Sequence, residues 1–379
     1  MKIIFIILAF LVLSGAAFFM LRQEASVGST VVPAVLPTHE TATTREENPD
    51  PITAQVAVMP LEEKIGQMLI VGFGGTVPDA HITKMIARYH IGGINLLKRN
   101  VTDAAQVRAL TSGLQSLASV PLFIAADQEG GAVVRFSFLD ELTPESDIES
   151  EDEAEAVAER RGAELAALGI NTNFSPVVDY VANPNSYLYS RTFGANATTT
   201  GRLGEAMMRG YLRGGVIPVV KHFPGYGSVG LDPHRNGVMR EDGRAGIEES
   251  MAPFASIISK YPEGAIMTAH ISVPEIDTKP ATLSPVFLTQ ILRERFGFRG
   301  VIITDDMEMI SAGTSPADAS LAAIKAGADM IISTYTPEVQ IAIYDRLYEA
   351  VRSGEITESR INESVTRILR LKATLSTGR

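Results

Sequence analysis

Charged and imidazole side chains follow six short apolar runs of this sequence, and their types suit proton transfer and the binding of polar groups. Acidic side chains follow three of these runs, and basic or imidazole side chains follow the other three. In chain order these residues are Lys98, Arg99, Asp127, Glu129, Asp179, Lys221, His222, His270, Asp305 and Asp306, and the neutral Gln128 lies between Asp127 and Glu129. Ion-pair networks also occur in purely structural settings, but burying so many ionisable groups requires desolvation energy that packing alone does not demand. The set is therefore a candidate active site.

The loop KHFPGYGSVGLDPHRNG, residues 221–237, holds a second pattern with chemical potential. Asp232 lies two residues before His234, a spacing at which a carboxylate can bond an imidazole nitrogen, fix its tautomer and raise its basicity. A histidine held in this way is suited to proton transfer near neutral pH. Alone the pattern is weak, because a solvent-exposed loop histidine is the commoner origin of such a pair.

Short apolar runs alternate with amphipathic stretches of helical period, and this rhythm predicts the elements that position the polar residues. Eight apolar runs occur, at 65–73, 91–97, 122–126, 170–178, 216–220, 265–270, 300–304 and 330–334. Helical stretches include 103–117, 153–168, 200–213, 247–259, 285–296, 316–327, 338–353 and 358–373. Eight strands, each followed by a helix, predict a single α/β domain, a (β/α)8 TIM-type barrel with its reactive residues at the carboxyl ends of the strands.

The amino-terminal region differs in composition from the rest. Residues 3–21 are almost unbroken hydrocarbon between Lys2 and Arg22, close to the roughly 20 residues that span a bilayer. We therefore predict a membrane anchor at residues 1–22, with a cleaved signal peptide as the alternative. Residues 23–57, rich in Thr, Pro, Ser and Glu, are predicted to be a flexible linker to a barrel catalytic domain at 58–379. The domain would then be extracytoplasmic, either held at the cell membrane or secreted.

Composition and charge exclude several classes of function. The chain contains no cysteine, so thiol nucleophiles, disulfides and cysteine metal sites are absent. The net charge of −11 at pH 7 argues against nucleic acid as a partner, because phosphates require a basic surface. We expect no metal or cofactor. His222, His234 and His270 could ligate a metal, but the sequence lacks the His-x-His pair that barrel metallohydrolases generally carry on an early strand.

A series of ordered segments resembles glycoside hydrolase family 3, and within it the β-N-acetylglucosaminidases that trim N-acetylglucosamine from cell-wall muropeptides. The matching segments run from about residue 60 to residue 335. They are IGQMLIVGF (65–73), AADQEGGAVVRF (125–136), LGINTNFSPVVD (168–179), SRTFG (190–194), KHFPGYG (221–227), DPH (232–234), IMTAHI (266–271), PATLSPVFLTQILRERFGFRGVIITDDMEM (280–309) and AGADMII (326–332).

This resemblance implies specific roles for residues of the candidate site. It makes Asp305, the first aspartate of ITDDMEM, the nucleophile that forms a glycosyl-enzyme intermediate, whereas the adjacent Asp306 would be structural because neighbouring strand residues point to opposite sides. It makes Asp232 and His234 the acid/base dyad, a departure from the usual pair of carboxyl groups in retaining hydrolysis. It also implies that the sugar hydroxyls are held by Asp127, Arg135, Arg191, Lys221 and His222.

Three positions depart from the pattern of the family. Tyr226 replaces a second histidine of most relatives, Pro233 replaces a serine inside the dyad, and Ala132 replaces a common arginine. Tyrosine cannot titrate near pH 7, and proline restricts the backbone of the loop. The proposed catalytic residues are all retained, so these changes bear on rate and loop motion.

The sequence leaves two other functions open beside hydrolysis of a GlcNAc-containing glycan. One is a retaining phosphorylase, because a histidine acid/base repels incoming phosphate less than a carboxylate does. The other is a non-catalytic barrel that binds cell-wall glycan. The expected partners are a carbohydrate and, through the amino-terminal segment, a membrane, with the protein itself a monomer.

Overall fold

The computed structural model describes residues 50–227, 229, 238–240, 242–310 and 314–377. The predicted anchor at residues 1–22, most of the predicted linker, and the dyad residues Asp232 and His234 lie outside the described residues. Across the ranges that are described, no helix is both long and apolar enough to cross a bilayer.

Eight parallel strands form a closed barrel and follow one another around it in chain order. The strands of the described residues are β1 (Leu69–Val71), β2 (Gly93–Leu96), β3 (Phe123–Ala126), β4 (Thr172–Asn173), β5 (Ile217–Phe223), β6 (Val238–Met239), β7 (Ala265–Thr268), β8 (Ile271–Val273), β9 (Asp277–Pro280), β10 (Val301–Asp306) and β11 (Met330–Ser333). All but β6, β8 and β9 belong to the barrel, and pairing of β1 with β11 closes it. The predicted (β/α)8 TIM-type barrel is confirmed.

Helices surround the barrel, and most barrel strands lead into one of them. They are α1 (Pro51–Val58), α2 (Leu61–Gln67), α3 (Ala80–Ala87), α4 (Ala104–Ser116), α5 (Glu151–Ala167), α6 (Ala197–Arg213), α7 (Gly243–Lys260), a π-helix (Val286–Arg295), α8 (Pro316–Ala326), α9 (Pro337–Arg352) and α10 (Glu358–Thr377). Polar side chains begin several of them by accepting backbone N–H groups of the first turn, as Asp103, Ser150 and Asn196 do for α4, α5 and α6.

Two barrel strands extend further than the apolar runs predicted. β5 continues to Phe223 and β10 continues to Asp306, because both keep pairing with neighbouring strands beyond the end of the hydrocarbon run. Lys221, His222 and Asp305 therefore lie in the last residues of strands and not in loops. A strand holds a side chain more rigidly than a loop does, which suits a preorganised site.

The folded region begins before the predicted boundary between linker and barrel at residue 58. Residues 51–57, assigned to the linker at 23–57, form most of α1, which packs against α10. Val56 is only 2% exposed, and Asp50 forms an ion pair with Arg370 of α10 at 2.8 Å. The signal in the sequence was weak because Val56 is the single buried residue of the helix. The barrel domain thus includes residues 50–57.

Helix α10 lies against the amino-terminal end of the barrel. Lys372 donates from Nζ to Oε1 of Gln67 at 2.7 Å and lies over the ring of Phe123, the first residue of β3. Arg367 bonds the buried carboxylate of Asp329, immediately before β11, at 3.0 Å. Because α10 covers the amino-terminal end of the barrel, a ligand can enter at the carboxyl-terminal ends of the strands.

Candidate active site

The carboxyl-terminal ends of the barrel strands surround a cavity of about 240 Å³. Much of its wall comes from residues that end or follow β3, β5 and β10, which alternate around the barrel with β4 and β7. Six of the residues to which the resemblance assigns catalysis or sugar binding line this cavity, namely Asp127, Arg135, Arg191, Lys221, His222 and Asp305. Glu129 and Asp306 of the polar set line it as well. The structure brings this part of the predicted site together.

Lys221 forms the centre of a buried charge network. Its Nζ lies 2.9 Å from Oδ1 of Asp127 and 2.6 Å from Oε1 of Glu129, while Arg135 contacts the other oxygen of Asp127 at 3.2 Å. Burial disfavours the charged carboxylates, but the coulombic attraction of Lys221 and the neighbouring arginines outweighs it. The pKa of Asp127 is therefore held well below its usual value, and the pKa of Glu129 is lowered to about 2.

Arg191 and Glu129 form a two-pronged ion pair at the cavity wall. Nε and Nη2 of Arg191 each donate to one carboxylate oxygen of Glu129 at 2.8 Å. Glu129 is thereby shared between Lys221 and Arg191. Glu129 was not among the predicted binding residues, although its place after the third apolar run had put it on the polar rim. Its role depends on a contact between the end of β3 and residues far along the chain, which the sequence does not display.

His222 is oriented by a buried aspartate, Asp179, that the sequence had placed on the polar rim without a role. Oδ2 of Asp179 lies 2.8 Å from Nδ1 of His222 and also accepts the backbone N–H of that residue at 3.0 Å. The other oxygen of Asp179 accepts the backbone N–H of Tyr226 at 2.6 Å. With Nδ1 engaged in this way, Nε2 is the nitrogen that His222 can offer to a ligand.

The two adjacent aspartates of β10 differ in their surroundings. Asp305 is partly exposed in the cavity, and one of its oxygens accepts the backbone N–H of Asp306 at 2.8 Å. The carboxylate of Asp306 is buried and accepts the hydroxyl of Thr334 and the backbone N–H of Glu308. Desolvation raises the pKa of Asp306 to about 6. Asp305 is the carboxylate that a ligand can reach more readily.

Three buried polar atoms of residues in the cavity wall have no hydrogen-bond partner within the described part of the chain. They are Oδ1 of Asn95, Nε of Arg135 and the hydroxyl oxygen of Tyr226. An unpaired buried polar atom costs about 1–3 kcal/mol, so their presence at the cavity favours a polar ligand or bound water. Asn95 lies inside an apolar run, and nothing in the sequence marked it as a site residue.

The cavity offers ionised carboxylates, fixed cations and an oriented imidazole, which together can bind a molecule that carries several hydroxyl groups. Among the described residues, no three His, Asp or Glu side chains are grouped as a metal site. Asp232 and His234 lie outside the described residues, so the geometry given above is that of the Asp305 carboxylate and the charged network. Asp127 and Glu129 are ionised at neutral pH and can accept hydrogen bonds but cannot supply protons.

Comparison with known proteins identifies the family. A family model described as the glycosyl hydrolase family 3 N terminal domain matches residues 60–371. Beta-hexosaminidase A of Pseudoalteromonas piscicida is 36% identical over 342 residues, which cover 79% of this chain and 56% of that relative. Beta-hexosaminidase of Neisseria gonorrhoeae (strain NCCP11945) is 38% identical over 269 residues, which cover 66% of this chain and 73% of that relative.

A solved structure is similar over most of the chain. It is a glycoside hydrolase family 3 beta-N-acetylglucosaminidase from Paenibacillus sp. str. FPU-7, with 36% sequence identity and a TM-score of 0.80. The match covers 85% of this chain and 64% of the Paenibacillus chain. This chain thus spans just over half the length of the first curated relative and under two thirds of this neighbour. The family predicted from the sequence is confirmed, and the chain belongs to glycosyl hydrolase family 3.

Proposed function

We propose that this chain is a retaining β-N-acetylglucosaminidase that removes terminal β-linked N-acetylglucosamine. The observation that carries the proposal is the arrangement of the cavity, in which the accessible carboxylate of Asp305 shares one enclosed space with the Asp127–Lys221–Glu129–Arg191 network. The network is suited to hold the hydroxyls of one sugar, and Asp305 is suited to attack its anomeric carbon. The names of the relatives and of the structural neighbour support N-acetylglucosaminides as the substrate class.

In the first step, an oxygen of Asp305 attacks the anomeric carbon, and the bond to the leaving oxygen breaks. The leaving oxygen takes a proton from His234, which Asp232 orients and makes more basic for the return step. In the second step, His234 removes a proton from water, which attacks the same carbon and releases Asp305. Each step inverts the anomeric carbon, so the product keeps the β configuration.

The charge state of the cavity favours a proton donor from outside the network. Asp127 and Glu129 have lowered pKa values and stay ionised at neutral pH. The carboxylate of Asp306 accepts hydrogen bonds from the hydroxyl of Thr334 and the backbone N–H of Glu308 and is held within the protein. His234, which follows β5 in the sequence, is therefore the residue we assign to proton transfer.

The ion pairs also explain how the site would favour the transition state. Hydroxyls of the sugar would bond to Asp127, Arg135, Lys221, His222 and Arg191, all of which are already positioned by contacts within the protein. Little reorganisation is then required as positive charge develops on the ring, and hydrogen bonds to the hydroxyls can tighten as the ring distorts.

For the natural substrate we propose fragments of peptidoglycan. The proposal depends on topology, because the apolar segment at residues 1–22 would hold the domain outside the cytoplasm, next to the cell wall. Expression of the full chain followed by membrane fractionation tests this placement. Release of the protein by alkaline carbonate, or its recovery in the cytoplasm, would contradict the anchor.

The activity is tested with residues 50–379 on 4-nitrophenyl N-acetyl-β-glucosaminide and the corresponding β-glucoside. We expect release from the N-acetylated substrate alone, loss of at least about three orders of magnitude in kcat for Asp305→Ala, and a large loss for His234→Ala. Asp152→Ala, on the exposed surface of α5, is the matched control and should leave the rate unchanged.

The same assay separates the alternatives. Trapping of a glycosylated Asp305 peptide by mass spectrometry would support the retaining mechanism, and wild-type rates in His234→Ala would exclude that residue as the acid/base. Formation of N-acetylglucosamine 1-phosphate in phosphate buffer would indicate a phosphorylase. Binding of chitin oligomers without turnover would indicate a glycan-binding barrel.

A further inference from the structure

An exposed aromatic ring lies at the edge of the charged cavity. Tyr335 lies two residues after the end of β11, lines the cavity and is 63% exposed. Its neighbours in the wall, Thr334 and Met309, have no ring. A tyrosine this exposed at the mouth of a site presents a flat apolar face to whatever extends out of the cavity.

The ring is held in place by its neighbours. The guanidinium of Arg99 lies over it, 4.9 Å from the ring centroid, and Arg99 is itself fixed by hydrogen bonds to the carbonyl oxygens of Phe73 and Thr334. The carboxylate of Glu308 accepts the backbone N–H of Tyr335 at 2.8 Å. With one face covered by Arg99 and the backbone fixed, the other face can bind a ligand with little loss of conformational entropy.

The position of the ring in the barrel indicates which part of a substrate it would meet. Tyr335 extends from the strand next to β10, which carries Asp305, so it borders the nucleophile side of the cavity. Tyr187, which also lines the cavity, follows β4 on the opposite side of the barrel and lies beside Arg191, with 6.0 Å between the guanidinium and the ring. The charged network, which would hold the sugar on one side of the cleaved bond, lies toward Tyr187. The sugar on the other side of that bond must extend out of the cavity, and Tyr335 is the exposed ring at its edge.

We propose that Tyr335 is the stacking platform of a second sugar subsite, which binds the sugar on the leaving-group side of the cleaved bond. The proposal rests on the proposed glycosidase function. A β-linked hexopyranose exposes a face of C–H groups that can pack on an aromatic ring, whereas its equatorial hydroxyls point sideways toward solvent. The ligand class is therefore a glycan of at least two sugars, with Tyr335 acting as a binding residue outside the reacting atoms.

The test compares a disaccharide with a single sugar in residues 50–379. For N,N′-diacetylchitobiose we expect kcat/KM to fall about tenfold in Tyr335→Ala and to stay within about twofold of wild type in Tyr335→Phe, which keeps the ring. The inhibition constant of free N-acetylglucosamine, which occupies only the charged cavity, should be unchanged in both variants. Tyr348→Ala, on α9 and outside the cavity, is the matched aromatic control.

A binding measurement gives an independent readout. In the Asp305→Asn background, saturation-transfer NMR with irradiation of aromatic protons should mark the reducing-end sugar of chitobiose, and the additional change Tyr335→Ala should remove that signal. An unchanged kcat/KM in Tyr335→Ala, or an equal weakening of N-acetylglucosamine binding, would overturn the subsite while leaving the glycosidase intact. Absence of turnover by the wild-type protein on every N-acetylglucosaminide would instead overturn the proposed function and the subsite with it.

Discussion

Lys221 shows how a single residue determines the state of the whole cavity. It is fully buried, yet it remains charged because Asp127 and Glu129 lie within ion-pair distance, and their attraction outweighs desolvation and raises the pKa of the lysine. The two carboxylates depend on the lysine in the same way. Burial of the three charges together is therefore tolerated, whereas burial of any one of them without its partners would be unfavourable.

Replacing Lys221 by methionine should destabilise the fold as well as reduce the activity. The side-chain volume is nearly retained, but two buried carboxylates lose their shared cation, so we expect the free energy of unfolding at pH 7 to fall by about 3–5 kcal/mol. Lys325→Met removes a surface lysine that pairs with Glu355 and should change stability by less than about 1 kcal/mol. Urea denaturation of both variants measures the difference.

The loss in free energy of unfolding caused by Lys221→Met should depend on pH, and this dependence checks that the loss arises from charge. In the wild type the lowered pKa of Glu129, about 2 against an ordinary 4.5, gives stability that is present above pH 4.5 and is lost as the pH falls toward 2. In Lys221→Met this carboxylate loses its main attraction and can protonate at higher pH. The deficit should therefore shrink as the pH is lowered from 7 to 4, and a constant deficit would contradict the charge explanation.

Glu145 is a buried carboxyl group behind the site. It accepts the backbone N–H of Val177 and the hydroxyl of Ser175, each at 3.1 Å, and thereby holds the segment after β4 against Lys221, whose backbone N–H bonds to Pro176. Desolvation raises the pKa of Glu145 to about 8, with a further contribution from Glu129. The protonated carboxyl is thus the form that fits this position at pH 7.

Glu145→Gln should stabilise the protein at neutral pH, because glutamine resembles the protonated acid. A pKa raised from 4.5 to about 8 means that the wild type loses stability as the pH rises from 4.5 to 8, by about 3 kcal/mol at pH 7. The variant should lack this loss and should match the wild type below pH 4.5. Thermal unfolding from pH 4 to pH 9 compares the two, and equal stability of both at pH 8 would refute a protonated Glu145.

At the scale of elements, the sequence carried more information about strands than about helix α1. The barrel strands are buried on both faces, so hydrocarbon runs such as residues 300–304 marked them directly. Helix α1 buries one residue, Val56, and its composition resembles that of the preceding linker. The rim residues were found from their position after strands, whereas the pairing of Glu129 with Arg191 and of Asp179 with His222 joins distant parts of the chain and has no local sequence signal.

Two valines of α1 test whether this helix belongs to the folded domain. Val56 is 2% exposed and Val58 is 83% exposed, although they have the same side chain and lie two positions apart. Val56→Ser should lower the free energy of unfolding of residues 50–379 by about 2 kcal/mol, because it removes buried hydrocarbon between α1 and α10. Val58→Ser should stay within about 0.5 kcal/mol of wild type. Equal effects would mean that α1 does not pack against α10 through Val56.

Across the whole molecule, the two ends of the barrel differ in how their buried ionisable groups are paired. The carboxyl-terminal end holds the network around Lys221, in which each charge has an opposite partner. At the amino-terminal end, Lys372 of α10 is buried and bonds to the neutral side chain of Gln67. Desolvation lowers the pKa of Lys372 to about 7. This separation agrees with the division of barrels into a reactive end and a stabilising end.

Lys372→Met should therefore raise the free energy of unfolding most below about pH 7, where the buried lysine of the wild type is protonated and charged. Between pH 7 and the ordinary value of 10.5, the unfolded chain binds a proton that the folded chain does not, so the wild type gains stability as the pH rises, by about 4–5 kcal/mol over the whole interval. The variant should lack that gain and should exceed the wild type in stability at pH 6.

The double variant Lys372→Met with Glu145→Gln tests both groups together. Because Glu145 makes stability fall with rising pH between pH 4.5 and 8, the double variant should show a flatter dependence of stability on pH than either single variant. Additive effects are expected for sites at opposite ends of the barrel, and strong coupling between them would contradict independent desolvation of the two groups.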